Sequence, residues 1–94
     1  MDIVEVRISK QAEKDLKSVP IHIAFKLQSW IDAVKNEGSR EIRKRPGFHD
    51  EPLKGKRQGQ RSIRLNKGYR AIYEIDTREI IHFIEVVEVN KHEY

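Results

Sequence analysis

Arg61-Ser62-Ile63-Arg64-Leu65-Asn66-Lys67-Gly68-Tyr69-Arg70-Ala71-Ile72-Tyr73-Glu74-Ile75 reads as two β-strands joined by a short turn. Arg61 to Leu65 alternates polar and apolar, as a half-buried strand does. Tyr69 to Ile75 does the same, with one slip at Ile72. Asn66-Lys67-Gly68 has the length of a three-residue hairpin loop. Such loops commonly place glycine at a left-handed position, and Gly68 fits that slot. In this register Leu65 pairs with Tyr69 and Arg64 with Arg70, so two arginines stand side by side on one face. Like charges directly opposite are destabilising. An anion between them relieves the repulsion, and two guanidinium forks match a phosphate. The alternative is that both side chains splay into water.

The same charge runs upstream of the hairpin. From Arg40 to Arg70 there are eleven Lys or Arg against three acids, a local charge of +8. The whole chain is +4, which leaves −4 for the remainder. This asymmetry predicts a surface that holds a polyanion, RNA or DNA, with Lys56, Arg57, Arg61 and Lys67 as RNA-binding residues. The competing reading is a basic loop that keeps a small domain soluble.

Ninety-four residues allow one domain, 1–94, with one modest core. Hydrophobic content is 37% and charged content 36%, yet the apolar residues are periodic, which argues for a folded chain. The absence of cysteine excludes disulfides and thiolate zinc sites. The four histidines lack the spacing of a metal site. No cofactor is implied. No segment has the apolar length of a signal peptide or a membrane span, so a cytoplasmic location is expected.

Ile3 to Ile8 alternates as a first strand. Ser9 suits the N-cap of a helix through Lys17, with Ala12 and Leu16 inward. Pro20 suits the first turn of a second helix. Ile23, Leu27, Trp30, Ile31 and Val34 form its apolar stripe, and Gly38 its end. Between Ser39 and Gln60 no long regular element appears; a long loop in a small domain is often functional. After the hairpin strands, Asp76 to Glu79 reads as a turn. Ile80 to Val89 reads as the last strand, central because it is apolar on both faces. With that turn Ile75 pairs with Ile80, and Arg70 opposes Glu85. The fold class is α+β: two N-terminal helices pack on one face of a small, mostly antiparallel four-stranded sheet, in the order β-α-α-β-β-β. Leu27, Trp30, Ile31, Val34, Ile63 and Leu65 are the expected core.

This order of elements, together with Pro52-Leu53-Lys54-Gly55, Ser62-Ile63-Arg64-Leu65 and Tyr69-Arg70-Ala71-Ile72-Tyr73, resembles the RelE/ParE superfamily of toxins from type II toxin–antitoxin pairs. The resemblance covers nearly the whole chain. Lys54-Gly55 and Gly59-Gln60 before Ser62-Ile63-Arg64 resemble the HigB branch. Asp50-Glu51-Pro52-Leu53-Lys54 and the terminal His92-Glu93-Tyr94 resemble the YoeB branch. The resemblance implies a ribosome-dependent mRNA endonuclease that cuts in the A site, with a cognate antitoxin, the ribosome and mRNA as partners and no membrane. The ParE branch shares the fold but poisons DNA gyrase and generally lacks the terminal His and Tyr. A non-catalytic nucleic-acid-binding module is a third reading.

Metal-independent cleavage uses the substrate's 2′-hydroxyl as nucleophile. It must lose a proton, the dianionic phosphorane must be stabilised, and the leaving 5′-oxygen must gain a proton. Arg64 and Arg70 suit the second task, with Lys54 beside them. The resemblance makes Glu51 the candidate base, with His49 as competitor. It makes His92 the candidate acid, since imidazole titrates near physiological pH. Tyr94 is a candidate for base stacking or phosphate contact. The order His92-Glu93-Tyr94 departs from the HigB pattern, in which a Tyr follows an acid. Ser62 stands where RelE has a lysine. The acid and base assignments therefore stay open between Glu51, His49 and His92.

Overall fold

The computed structural model describes residues 3–78 and 81–91. The elements are β1 (Ile3–Ile8), α1 (Lys10–Leu16), α2 (Ile21–Glu37), α3 (Ser39–Arg43), β2 (Glu51–Pro52), β3 (Gln60–Arg64), β4 (Tyr69–Arg78) and β5 (Ile81–Lys91). Single 3-10 turns at Pro46–Phe48 and Gly55–Arg57 divide the long basic connection.

Local chemistry sets the helix ends. Ser9 caps α1: its Oγ accepts the Ala12 N–H at 3.0 Å. Pro20 is the N-cap residue of α2, one position before the first turn where the sequence suggested it. Gly38 closes α2 at φ 87°, and its N–H reaches the Val34 carbonyl at 2.9 Å.

The sheet has five strands in the order β1-β5-β4-β3-β2. The expected four-stranded sheet is corrected by β2, which spans two residues and is too short to show alternation. β1 runs parallel to β5, and every other pair is antiparallel. β5 lies inside the sheet, as its apolar character predicted. Ile23, Leu27, Trp30 and Val34 of α2 are buried against a cluster that includes Ile63, Ala71, Tyr73, Ile84, Val86 and Val89. Leu65 is buried with them, and Ile31 packs half-buried at the margin. The Trp30 and Tyr73 rings sit 4.7 Å apart at 52°, a tilted pair worth about 0.5–1.5 kcal/mol beyond its buried area.

The β3–β4 register is the one read from sequence, with Arg64 opposite Arg70. The device that turns the chain differs. Gly68 is not among the left-handed glycines. Instead the Asn66 carboxamide Oδ1 accepts the backbone N–H groups of Gly68 at 2.7 Å and Tyr69 at 2.9 Å. A side chain standing in for a backbone acceptor removes the need for positive φ.

The β4–β5 register corrects the sequence reading. β4 continues through Asp76 and Thr77 to Arg78 instead of turning at Asp76. Ile75 pairs with Ile84, and Arg70 faces Asn90, not Glu85; Glu85 faces Glu74. The ladder also slips: Ile72 faces Glu88 while Tyr73 faces Val86, which leaves Val87 as the extra residue of a β-bulge. Ile84 and Val86 point into the core, and strict alternation would send residues 88 and 90 after them. One inserted residue reverses the phase. Val89 is buried instead, and Glu88 and Asn90 turn to the opposite face.

Candidate active site on the open sheet face

Alternation and register together place the side chains of the face away from the helices in cross-strand rows. One row is Arg64, Arg70 and Asn90. The next is Glu51, Ser62, Ile72 and Glu88. The third is Gln60, Glu74 and Glu85. The arginine pair thus lies diagonally between two carboxylates, Glu51 on the β2 edge and Glu88 on β5.

The row is wired rather than loose. Arg70 donates from Nε to the Asn90 Oδ1 at 3.1 Å. Asn90 donates from Nδ2 to the Glu88 Oε2 at 2.9 Å. The other oxygen, Glu88 Oε1, accepts from Arg57 Nη2, and Arg57 Nη1 reaches the Gln60 Oε1 at 2.9 Å. Arg57 comes from the 3-10 turn Gly55–Arg57, so this chain of bonds ties the basic connection to the sheet. All of these residues are partly exposed. Such a surface offers forked, fixed donors to an anion while water still reaches it.

The remaining sequence-derived candidates divide by position. Glu51 is exposed on β2, and Lys54 and Lys56 are exposed beside the turn that carries Arg57. Lys67 is exposed at the tip of the β3–β4 hairpin. His49 is exposed and left-handed, at φ 45°. Arg61 lies on the other face, opposite Tyr73. His92 and Tyr94 lie outside the described residues. Among the described residues no three His, Asp or Glu side chains gather as metal ligands would.

Arg61 belongs to a second polar cluster. Its Nε donates to Asp50 Oδ1 at 2.6 Å, and the Tyr73 hydroxyl donates to Asp50 Oδ2. The Asp50 side chain is only 2% exposed, so both carboxylate oxygens need these donors. Burial works against the Arg61 charge, but the hydrogen bond and the negative charge of Asp50 outweigh it and raise its pKa. Burial, reinforced by the same hydrogen bond and charge, pushes the Tyr73 phenol well above its ordinary value. This cluster fastens the segment before Glu51 to the helix-packed face at the start of β3.

Sequence reasoning found the arginine pair and missed Glu88, Asn90 and Asp50. The signal for Asp50 was its place next to Glu51 in an otherwise basic run. Glu88 and Asn90 carried no usable signal, because the bulge at Val87 decides their face.

The sequence profile of the HigB-like toxins, described as the RelE-like toxin of type II toxin–antitoxin system HigB, matches residues 7–86. No curated protein matches the sequence. Among solved structures, the YoeB/ParE toxin from Agrobacterium tumefaciens is 19% identical with a TM-score of 0.71, covering 95% of this chain and 99% of that one. YafQ from E. coli is 18% identical with a TM-score of 0.69, covering 94% and 92%. A chain of the RelBE2 toxin–antitoxin complex from Mycobacterium tuberculosis is 24% identical with a TM-score of 0.66, covering 93% and 95%. At these identities the likeness is one of fold.

Proposed function

The chain belongs to the HigB-like toxins, RelE-like toxins of type II toxin–antitoxin systems, and from that premise we propose that it is a metal-independent endoribonuclease which cuts mRNA in the ribosomal A site. The observation that carries this reading is the Arg64–Arg70 pair on the open face, with Arg70 held by Asn90. A scissile phosphate between the two guanidinium groups receives donors fixed by the sheet before the reaction starts. Such donors act where charge develops, on the pentacoordinate phosphorane. The 2′-oxygen attacks phosphorus, the bond to the 5′-oxygen breaks, and the products carry a 2′,3′-cyclic phosphate and a 5′-hydroxyl. Glu51, diagonal to Arg64, takes the 2′ proton. His92 gives a proton to the leaving oxygen, and Tyr94 stacks on a neighbouring base. Lys54, Lys56 and Lys67 bring the RNA backbone to the face. The ribosome supplies substrate alignment that a small open surface does not.

The partner that restrains this activity is an antitoxin with an acidic or amphipathic segment, complementary to the basic face. Solved relatives of the same fold include toxin–antitoxin complexes. The test is to add the purified protein to translating ribosomes and map the mRNA ends. Cuts within A-site codons that leave 5′-hydroxyl ends are expected. Intact mRNA together with gyrase-linked DNA breaks would replace this reading with a gyrase inhibitor.

A further inference from the structure

We propose that Glu88 is a positioning residue that presets both Arg57 and Arg70 on the open face. The inference rests, for its catalytic consequence, on the endonuclease reading above. Its structural part stands on the hydrogen bonds alone.

Glu88 uses its two oxygens for different purposes. Oε1 takes Arg57 from the connection between β2 and β3. Oε2 takes the Asn90 Nδ2 at 2.9 Å. That second bond orients the Asn90 carboxamide, leaving Oδ1 toward the Arg70 Nε at 3.1 Å. The orientation matters because a guanidinium has donors only. Were the carboxamide turned over, its NH2 would face the Nε–H of Arg70, donor against donor. A carboxylate at residue 88 is therefore what selects the side of Asn90 that Arg70 needs. It does so without entering the arginine pair, since it sits one row away, opposite Ile72. With 22% side-chain exposure it is more enclosed than Arg57 at 39%, as an anchor is relative to what it holds. The bulge at Val87 is the backbone feature that makes this arrangement possible, because it turns Glu88 and Asn90 to the open face together.

The mobility of the two arginines in the full-length chain tests this by NMR of their guanidinium groups, assigned with Arg57→Lys and Arg70→Lys. In the wild type the Arg70 Nε–H should exchange slowly with water, and rotation of the Arg57 guanidinium should be hindered. Glu88→Ala should raise both rates by about 10-fold. Unchanged rates at both arginines overturn the proposal, whatever the cleavage assay shows. In that assay Glu88→Ala should lower the rate on saturating ribosomes by about 10-fold to 100-fold, the scale of a misplaced catalytic group. The half-saturating concentration should shift less than about threefold, because the basic surface remains. Added to an Arg57→Ala/Arg70→Ala double variant, Glu88→Ala should cost nothing more; a full further loss would mean that Glu88 acts on the substrate itself and not through the arginines. Should the alanine variant not fold, Glu88→Gln keeps the volume and one acceptor oxygen, so one of the two arginines should be released and the other kept. Glu88→Gln with both arginines as restrained as in the wild type also overturns the proposal. If the wild type cuts no mRNA, the endonuclease reading falls, and the NMR rates still decide whether Glu88 holds the arginines.

Discussion

The helix-packed and open faces of the sheet each hold a carboxylate that receives two donors, and the two carboxylates live in different media. The Asp50 side chain is 2% exposed and is closed in by Arg61 and Tyr73. Glu88 is 22% exposed and binds Arg57 and Asn90 where water can reach. In the first case removing a partner strands a charge in low dielectric, so the contact is felt as stability. In the second, water replaces a lost partner, so the contact adds little to stability and acts mainly on side-chain order. One arginine-rich sequence thus divides into arginines tied into the buried face and arginines laid out on the open one. Charge does not separate them; the face of the strand does.

The sharpest way to break this comparison is to remove one arginine from each network. Arg70→Ala should reduce mRNA cleavage by about 100-fold to 1000-fold, the cost of losing an oxyanion donor, while the urea midpoint stays near that of the wild type. Arg61→Ala should do the reverse. It leaves Asp50 buried with one donor and should cost about 3 kcal/mol in urea denaturation, with cleavage per folded molecule little changed. An Arg61→Ala protein as stable as the wild type, or an Arg70→Ala protein that cuts normally, would erase the distinction between the two faces.

A smaller effect sharpens the account of the buried cluster. The Tyr73 phenol is held above its ordinary value first by burial and then by the hydrogen bond to Asp50. A raised folded pKa means that the folded chain keeps this proton more tightly than the unfolded chain. The stabilisation is whole below the unfolded value of about 10 and is lost as pH rises above it, at about 1.4 kcal/mol per pH unit. Urea midpoints of the wild type and Tyr73→Phe, measured from pH 8 to 11, should diverge in slope only above about pH 10, with the wild type falling faster. Parallel curves would show that the Tyr73 proton is not what fixes Asp50.

The parts of the molecule legible in sequence are those set by local periodicity. The α2 stripe from Ile23 to Val34, the Ser9 cap and the Arg64–Arg70 pairing all depend on spacings within one or two elements. What was not legible depends on a single inserted residue or on contacts between distant segments. Val87 looks like any apolar strand residue, yet as the bulge it puts Asn90 rather than Val89 opposite Arg70, after the longer β4 has already carried Glu85 down to Glu74. The Asn66 side chain does the work expected of Gly68, because a carboxamide and a left-handed glycine are alternative answers to the same turn. Arg61 differs from Arg64 only in pointing to the opposite face, and Asp50, its partner, is eleven residues away. Strand phase shows that Arg61 faces inward; it does not show that a carboxylate waits there.

The smallest expected effect concerns cations outside both networks. Lys67 is exposed at the hairpin tip, outside the strands that carry the arginine row. Its role on the proposed reading is to meet the RNA backbone, a contact that carries no catalytic geometry. Each phosphate neutralised on a single strand contributes about 0.7 to the slope of log affinity against log salt, through release of a bound counterion. Lys67→Ala should therefore weaken binding of a 2′-deoxy-blocked mRNA only a few-fold at low salt and lower that slope by about 0.7. The cleavage rate at saturation and the urea midpoint should both stay at wild-type values. Arg57→Ala gives the matching control, since Arg57 already bonds Glu88 and should change the saturated rate more than the salt slope. A salt slope unmoved by Lys67→Ala would mean that RNA does not cross the hairpin tip. The polyanion path would then have to run along Lys54 and Lys56, on the other side of the arginine pair.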